Sequence, residues 1–209
     1  MAEQETPAVA LFKKKAAVVS AQVVEVKNLD EAIAYALDIC EKKEACELLF
    51  TGCEENLSPD AENLCERAAA KMLAAPGLDE KSFSSLEKQG KEKGFDVIRS
   101  GMRKYLSGID VGFAVADMGV AETGTCVVAS ESEDLRLSTM VCEVSVIALP
   151  KSRIVNSLYD AEDFMNEVMK KGAMYTSYIS GPSRTADIER VLTLGVHGPL
   201  ELHVALMEG

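Results

Sequence analysis

The sequence contains no tryptophan, few aromatic residues and only two histidines among its 209 residues. Aromatic side chains make up 5% of the chain, so Val, Leu, Ile, Ala and Met must fill its core. No apolar run approaches the roughly 20 residues that a membrane-spanning helix requires. The first apolar run precedes the lysines at 13–15, which is the reverse of the order in a secretory signal. We therefore expect a cytoplasmic protein without a membrane span.

Positive charge is also scarce. The chain carries 22 basic and 34 acidic side chains, which gives a formal net charge of −12. Binding to nucleic acid or anionic lipid requires Lys and Arg side chains that replace counterions, so neither partner is expected. A small anionic ligand would need a local basic group, and Arg184 is a candidate.

The cysteine spacing argues against a metal or an iron–sulfur cluster in this chain. None of the six cysteines belongs to a C-x-x-C pair, and none lies within four residues of a histidine. The closest two are six positions apart, whereas paired zinc or cluster ligands are usually closer. We expect no metal site and no bound cofactor.

Hydrophobic periodicity predicts a layered α/β fold with a parallel sheet. Residues 1–19 are predicted to form an arm or a short helix, and residues 20–209 a single domain. Asn28 and Glu31 match a capping box at a helix start. The first half is predicted to alternate strands (21–26, 46–52 and 95–100) with helices (from 28, from 58 to Pro76-Gly77, and 78–94).

The second half is predicted to be richer in strands. Two strands, 111–116 and 125–129, are joined by a predicted polar turn over 117–124. A buried strand stops at Pro150, and a helix with Asp160 or Ser157 at its cap follows. The last two predicted strands flank a predicted helix over 186–194.

One candidate loop consists of Glu122, Thr123, Gly124 and Thr125 (the ETGT loop). Glycine would let a backbone N–H approach a ligand closely, and the two hydroxyls can donate or accept. An ordinary turn, in which Glu122 caps a neighbouring amide, would need the same residues. Asp117 is a further acid/base candidate before this loop.

The second candidate is residues 180–185, the SGPSRT segment, which precedes the helix predicted over 186–194. Free N–H groups at a helix start, hydroxyl caps and an arginine suit a carboxylate or a phosphate. An ordinary capped helix, with Asp187 complementing the dipole, is the alternative. The predicted ligand-binding residues of this segment are Ser180, Gly181, Ser183, Arg184 and Thr185.

The two histidines differ in context. His197 lies between glycines in a loop, where it could transfer a proton or bind a substrate, or cap the preceding helix. His203 alternates with Leu202 and Val204, which predicts a packed strand residue. Glu122 and His197 are therefore the catalytic candidates.

Three stretches resemble a known family. "VADMGVAETGTCVV", "CEVSVIALPKSRIV" and "ISGPSRTADIERVLTLGVHGPLELHV" are similar, in this order, to signatures of the LUD-domain family, also known as the lactate-utilisation protein C family. The resemblance covers residues 20–207 and is strongest from Asp110 onward. Residues 57–94 are longer than the family's usual middle and form a candidate helical insertion.

This resemblance implies a Rossmann-like layered sheet of the sugar-isomerase and coenzyme-A-transferase-like class. It also implies a role in oxidising L-lactate to pyruvate together with iron–sulfur partner proteins, which would carry the clusters. A small carboxylate or phosphate would bind between the ETGT loop and the SGPSRT segment.

Two further functions stay open beside this one. The chain could be a non-catalytic assembly module for the iron–sulfur partners. It could also be a stand-alone enzyme of the coenzyme-A-transferase or ligase type, with Glu122 as the group that forms a thioester. Each is compatible with a homo-oligomer.

Overall fold

The computed structural model describes residues 5–43, 71–105, 108–172, 174–187 and 189–208. In chain order the first elements are α1 (Pro7–Val18), β1 (Gln22–Val26), α2 (Leu29–Lys42), β2 (Met72–Ala74), α3 (Glu80–Glu92), β3 (Asp96–Ile98), β4 (Ile109–Val115), β5 (Met118–Val120) and β6 (Thr125–Ser130). They are followed by α4 (Glu133–Met140), β7 (Cys142–Pro150), β8 (Ile154–Val155), α5 (Glu162–Lys170), β9 (Tyr175–Ile179), β10 (Arg184–Thr185), β11 (Thr193–Leu194) and β12 (Glu201–Met207). No helix within these ranges is long and apolar enough to cross a membrane.

A parallel sheet forms the centre of the molecule. Its strands lie in the order β1-β12-β7-β4-β2-β3, and every neighbouring pair is parallel. Helices α2 and α3 cover one face, and α1 and α4 pack against the other. Both faces are thus buried, which explains the nearly continuous apolar runs of β4, β7 and β12. The predicted α/β class with a parallel sheet is confirmed.

Helix α2 begins as its sequence predicts. The Asn28 side chain accepts a hydrogen bond from the Glu31 amide at 3.0 Å, and the Glu31 carboxylate accepts one from the Lys27 amide at 2.8 Å. One face of the helix, from Ala32 to Cys40, is buried against the sheet. Local capping and packing therefore specify the same element.

A smaller sheet has the strand order β8-β5-β6-β9. It continues from the central sheet, because the chain runs from β4 through Ala116 and Asp117 directly into β5. The prediction of an uninterrupted polar turn over 117–124 is therefore wrong. Met118 and Val120 are buried among apolar residues, and burial favours a strand there.

Two predicted helices need correction. The helix predicted from residue 58 to Pro76-Gly77 is wrong at its end, because Met72–Ala74 forms strand β2. These three residues are buried between β3 and β4, and such packing outweighs the helix propensity of an alanine-rich sequence. The start of this helix, the strand predicted over 46–52 and the first part of the 57–94 segment lie outside the described residues.

The helix predicted over 186–194 is also wrong. Strands β10 and β11 pair antiparallel instead, with Arg184 opposite Leu194 and Thr185 opposite Thr193. Glu189 and Arg190 have φ angles of 54° and 59°, which no right-handed helix contains. Leu192 and its apolar neighbours in this hairpin are exposed, so a helix here would have had no core to pack against.

Candidate functional site

The ETGT loop and the SGPSRT segment meet in the folded chain. Strand β6 pairs antiparallel with β9, with Cys126 opposite Ile179, so the adjacent residues Thr125 and Ser180 face each other. Their hydroxyl oxygens are 2.6 Å apart, and the Thr123 hydroxyl lies 2.7 Å from that of Thr125. The structure thus brings together two segments that the sequence separates by 55 positions.

Helix α1 packs directly on both segments. A Cβ at Gly124 would lie 2.3 Å from the Ala16 amide nitrogen, and one at Gly181 would lie 2.0 Å from the Val19 carbonyl oxygen. Both glycines have positive φ angles, 65° and 76°. The sequence predicts that glycine admits a ligand to the ETGT loop, but at Gly124 the close neighbour is helix α1.

Arg184 also contacts the end of helix α1. Its guanidinium donates a hydrogen bond to the Val19 carbonyl oxygen, which follows the last turn of that helix. Carbonyl groups at a helix C-terminus carry partial negative charge and favour a cation nearby. Since Ala186–Leu194 is not a helix, the predicted anion site at a helix start beside Arg184 does not exist in that form.

A cavity of about 280 Å³ lies next to these contacts, at the amino ends of β7 and β12 (the amino-edge cavity). The predicted site residues Ser180, Gly181, Ser183 and His197 line it. The end of helix α4 contributes Thr139 and Met140, the sheet contributes Ser145 and Leu202, and Tyr178, Ile179, Pro182, Gly198 and Pro199 complete the lining. Arg184, Thr185 and the four ETGT residues do not line it. Hydroxyl groups on an apolar wall are typical of sites for small polar molecules.

Ser145 is a lining residue that none of the candidate segments contains. Ser145 is 1% exposed, and its Oγ makes no hydrogen bond to a nitrogen or oxygen atom of the described residues. The thiol of Cys142 interacts with it, but a thiol is a weak hydrogen-bonding group. A buried hydroxyl without a proper partner costs free energy unless another molecule supplies one. A serine amid the apolar run "VSVIAL" was the available sequence signal.

His197 lies at the mouth of this cavity. Its Nε2 is 3.9 Å from Oδ2 of Asp187, and both side chains are largely exposed. The Thr185 hydroxyl donates a hydrogen bond to the Asp187 carboxylate. This bond is the largest of the interactions that hold the pKa of Asp187 below its usual value, and the Asp187 backbone amide and the nearby His197 contribute less. Thr185 thus connects to the cavity through Asp187 and His197.

Glu122 makes structural hydrogen bonds in the folded chain. Its Oε1 accepts a hydrogen bond from the Leu158 amide at 2.7 Å, and its own amide donates to the Asn156 carbonyl at 3.0 Å. The carboxylate thereby fixes the loop after β8. The sequence had left open that Glu122 only caps a neighbouring amide, and these bonds match that alternative.

His203 is the second histidine and lies apart from the cavity lining. Its ring is buried, with Nδ1 2.9 Å from the Tyr35 hydroxyl and Nε2 2.9 Å from the Glu201 carboxylate. Since both nitrogens have partners on α2 and β12, the prediction of a packed strand residue is confirmed.

The described cysteines are buried and inert. Burial raises the pKa of Cys40, Cys126 and Cys142 to about 12, so none is a thiolate at neutral pH. The other three lie outside the described residues. Among the residues that the structure describes, no group of three His, Cys, Asp or Glu side chains could hold a metal ion.

Comparison with known proteins places this chain in a family. The LUD domain family model matches residues 9–207. The chain belongs to the LUD-domain family. The predicted resemblance is therefore confirmed, and the match includes most of helix α1, which the resemblance over residues 20–207 had left out.

Several relatives of this chain carry functional names. "Lactate utilization protein C" of Geobacillus thermodenitrificans is 37% identical over 95 residues, which are 44% of this chain and 40% of that protein. The protein of the same name from Bacillus subtilis strain 168 is 38% identical over 96 residues, again 44% and 40% of the two chains. The matched region thus spans about two fifths of these relatives.

The fold also occurs in a solved structure. A DUF162 family protein from Deinococcus radiodurans superposes with a TM-score of 0.61 at 14% identity, covering 98% of this chain and 99% of that one. At this identity the likeness concerns the fold alone.

Proposed function

We propose that this LUD-domain protein takes part in L-lactate utilisation and binds a small carboxylate in the amino-edge cavity. The carboxylate would be a short hydroxy or keto acid, in a system that oxidises L-lactate to pyruvate with iron–sulfur partner proteins. The names of the Geobacillus and Bacillus relatives support the pathway. The lining of the cavity supports the proposed binding of a small carboxylate.

The observation that carries the ligand proposal is the buried hydroxyl of Ser145. The described part of the chain offers this hydroxyl no nitrogen or oxygen atom as a hydrogen-bond partner, and Ser145 lines the cavity. Ser180, Ser183 and Thr139 add further hydroxyls, and the His197 ring adds a hydrogen-bonding group at the mouth. Since hydroxyls can both donate and accept, this set suits a ligand with a carboxylate and a neighbouring hydroxyl or carbonyl.

The remaining predicted site residues have an indirect role in this proposal. Thr123 and Thr125 hold Ser180 through a chain of hydroxyls, and Gly124 allows helix α1 to pack beside it. Arg184 ties the same segment to helix α1. We further propose that the fold belongs to the sugar-isomerase and coenzyme-A-transferase-like class, a proposal supported by its parallel central sheet with helices on both faces.

Isothermal titration calorimetry with L-lactate, pyruvate and inorganic phosphate tests the ligand. We expect a carboxylate to bind, and Ser145→Ala to weaken binding by about tenfold, since a buried hydrogen bond to a charged group contributes about 1.5–3 kcal/mol. Ser177→Ala, in β9 but outside the cavity lining, is the matched control. Equal affinities of wild type and Ser145→Ala, or binding of phosphate alone, would contradict the proposal.

A second candidate function is docking of the iron–sulfur partners. It is favoured by the exposed apolar side chains of Val191, Leu192, Leu194, Val196 and Leu200, which lie in and after the β10–β11 hairpin. Exposed apolar groups clustered in one segment are typical of interaction surfaces. Co-purification tests it. Leu192→Ser should abolish partner capture, and Met169→Ser, an exposed apolar residue on α5, should not.

A further inference from the structure

The chain leaves β2 and β4 in opposite directions. Strand β2 leads through α3 to β3 at one edge of the central sheet, whereas β4 leads through the smaller sheet and α4 to β7 on its other side. Accordingly, α3 and α4 pack on opposite faces of the sheet. Since β2 and β4 are neighbours, a crevice forms beyond their carboxyl ends, the position at which open α/β sheets bind ligands.

A second cavity, of about 340 Å³, occupies this position (the carboxyl-edge cavity). Pro76 and Gly77, which follow β2, and Asp117, which follows β4, lie on its wall. Helix α5 closes the other side with Phe164 and Val168. None of these residues lines the amino-edge cavity, so the two cavities are separate.

One wall of this cavity is apolar. Leu135, Phe164, Val168 and Met174 come from α4, α5 and the start of the β9 segment. Val168 is buried and Phe164 is half-buried. Such a surface favours an apolar group of a ligand, because contact removes both surfaces from water.

Three charged side chains also line the cavity, together with Ala129 and Ser132. Oδ2 of Asp117 accepts a hydrogen bond from the Ala129 amide at 2.7 Å, while its Oδ1 has no hydrogen bond with any described residue. Glu131 and Lys171 are exposed at the rim, and neither forms an ion pair within the described ranges. The cavity thus offers two carboxylates, one ammonium group and an apolar wall.

We propose that the carboxyl-edge cavity binds a small zwitterion of the apolar amino-acid type. The ligand's ammonium group binds Asp117 with support from Glu131, and its carboxylate binds Lys171. Its apolar side chain packs on Leu135, Phe164 and Val168. This site is distinct from the proposed carboxylate site. It contains Asp117, an acid/base candidate that does not line the amino-edge cavity.

Three probes of matched shape test this proposal by calorimetry. L-Leucine carries both charges, isoamylamine lacks the carboxylate, and isocaproate lacks the ammonium group. We expect leucine to bind most tightly, isoamylamine more weakly and isocaproate not at all. Asp117→Asn keeps the acceptor for the Ala129 amide, so the fold is retained, and it should lower leucine affinity by about tenfold. Asp163→Asn, on α5 outside the lining, is the control.

Lys171→Gln tests the contact with the ligand's carboxylate separately from the contact with its ammonium group. It should weaken leucine binding by about twofold to fivefold, as is typical of an exposed ion pair, and leave isoamylamine binding unchanged. The proposal is overturned if isocaproate binds as tightly as leucine, or if Asp117→Asn binds leucine like wild type. Ser145→Ala should leave leucine binding unchanged. A loss in that variant would place leucine in the amino-edge cavity and also overturn the proposal.

Discussion

Thr125 Oγ1 lies 2.6 Å from Ser180 Oγ, and this hydrogen bond joins the ETGT loop to the SGPSRT segment. Thr125 is buried at the start of β6, whereas Ser180 lines the amino-edge cavity. A change at Thr125 therefore acts on the cavity through Ser180.

Thr125→Val keeps the shape of the side chain but removes this bond. We expect the free energy of unfolding to fall by about 0.5–1.5 kcal/mol, the net contribution of one intramolecular hydrogen bond. The loss is limited because Ser180 and Thr123 are exposed, so water can replace the missing partner. Urea denaturation measures it. Thr176→Val, a half-buried position on the adjacent β9, is the control and should change stability little. Equal losses in both variants would contradict a specific role of the Thr125 bond.

The meeting of these two segments follows from the sequence in part. Antiparallel pairing of β6 with β9 places Thr125 beside Ser180, and both strands were predicted. The β10–β11 hairpin after Ser180 was not predicted, because the apolar spacing of Val191 and Leu194 fits a helix as well. Positive φ angles at Glu189 and Arg190 decide against a helix, and no local pattern reveals them.

Gly124 is required by the packing of helix α1. Its φ is 65°, and a Cβ added there would lie only 2.3 Å from the Ala16 nitrogen, so Gly124→Ala combines backbone strain with a backbone clash. We expect a loss of about 2–4 kcal/mol in the free energy of unfolding. Gly94→Ala has a φ of 78° but no atom within 4 Å, so it should cost about 1 kcal/mol, from strain alone. Thermal or urea unfolding that ranks Gly94→Ala as equal or worse would contradict this account.

Glu25 links helix α1 to the central sheet in a pH-dependent way. Hydrogen bonds from Lys13 and Lys151 hold the pKa of Glu25 at about 2, below its ordinary value of 4.5. Its stabilisation is therefore fully present above pH 4.5 and is lost as the pH falls towards 2. Because the side chain is half exposed, we expect less than about 1 kcal/mol. Glu25→Gln should be less stable than wild type at about pH 7, and the difference should vanish near pH 2. A difference that stays constant with pH would contradict this.

Substitution of Arg184 distinguishes a direct contact with the ligand from an indirect effect through helix α1. Since its guanidinium bonds the Val19 carbonyl, Arg184→Ala should lower the free energy of unfolding by about 1 kcal/mol. Its affinity for pyruvate should change by less than about twofold, because Arg184 lies outside the cavity lining. A tenfold loss of affinity with unchanged stability would instead make Arg184 the carboxylate partner that its sequence context first indicated.

Ser145 shows why the site was only partly predictable. Ser180, Gly181, Ser183 and His197 were found from loop composition and do line the cavity. Ser145 lies in a buried strand, and only the packing of β7 beside β12 and the end of α4 places its hydroxyl at the cavity. Long-range pairing of this kind leaves no periodic signal in a single sequence.

A crystal structure of the protein with L-lactate tests the central claim most directly. We predict that the ligand lies in the amino-edge cavity, with an oxygen atom about 3 Å from Ser145 Oγ and within reach of Ser180 or His197. A ligand bound elsewhere, or lactate at saturating concentration that makes no contact with Ser145, would contradict it.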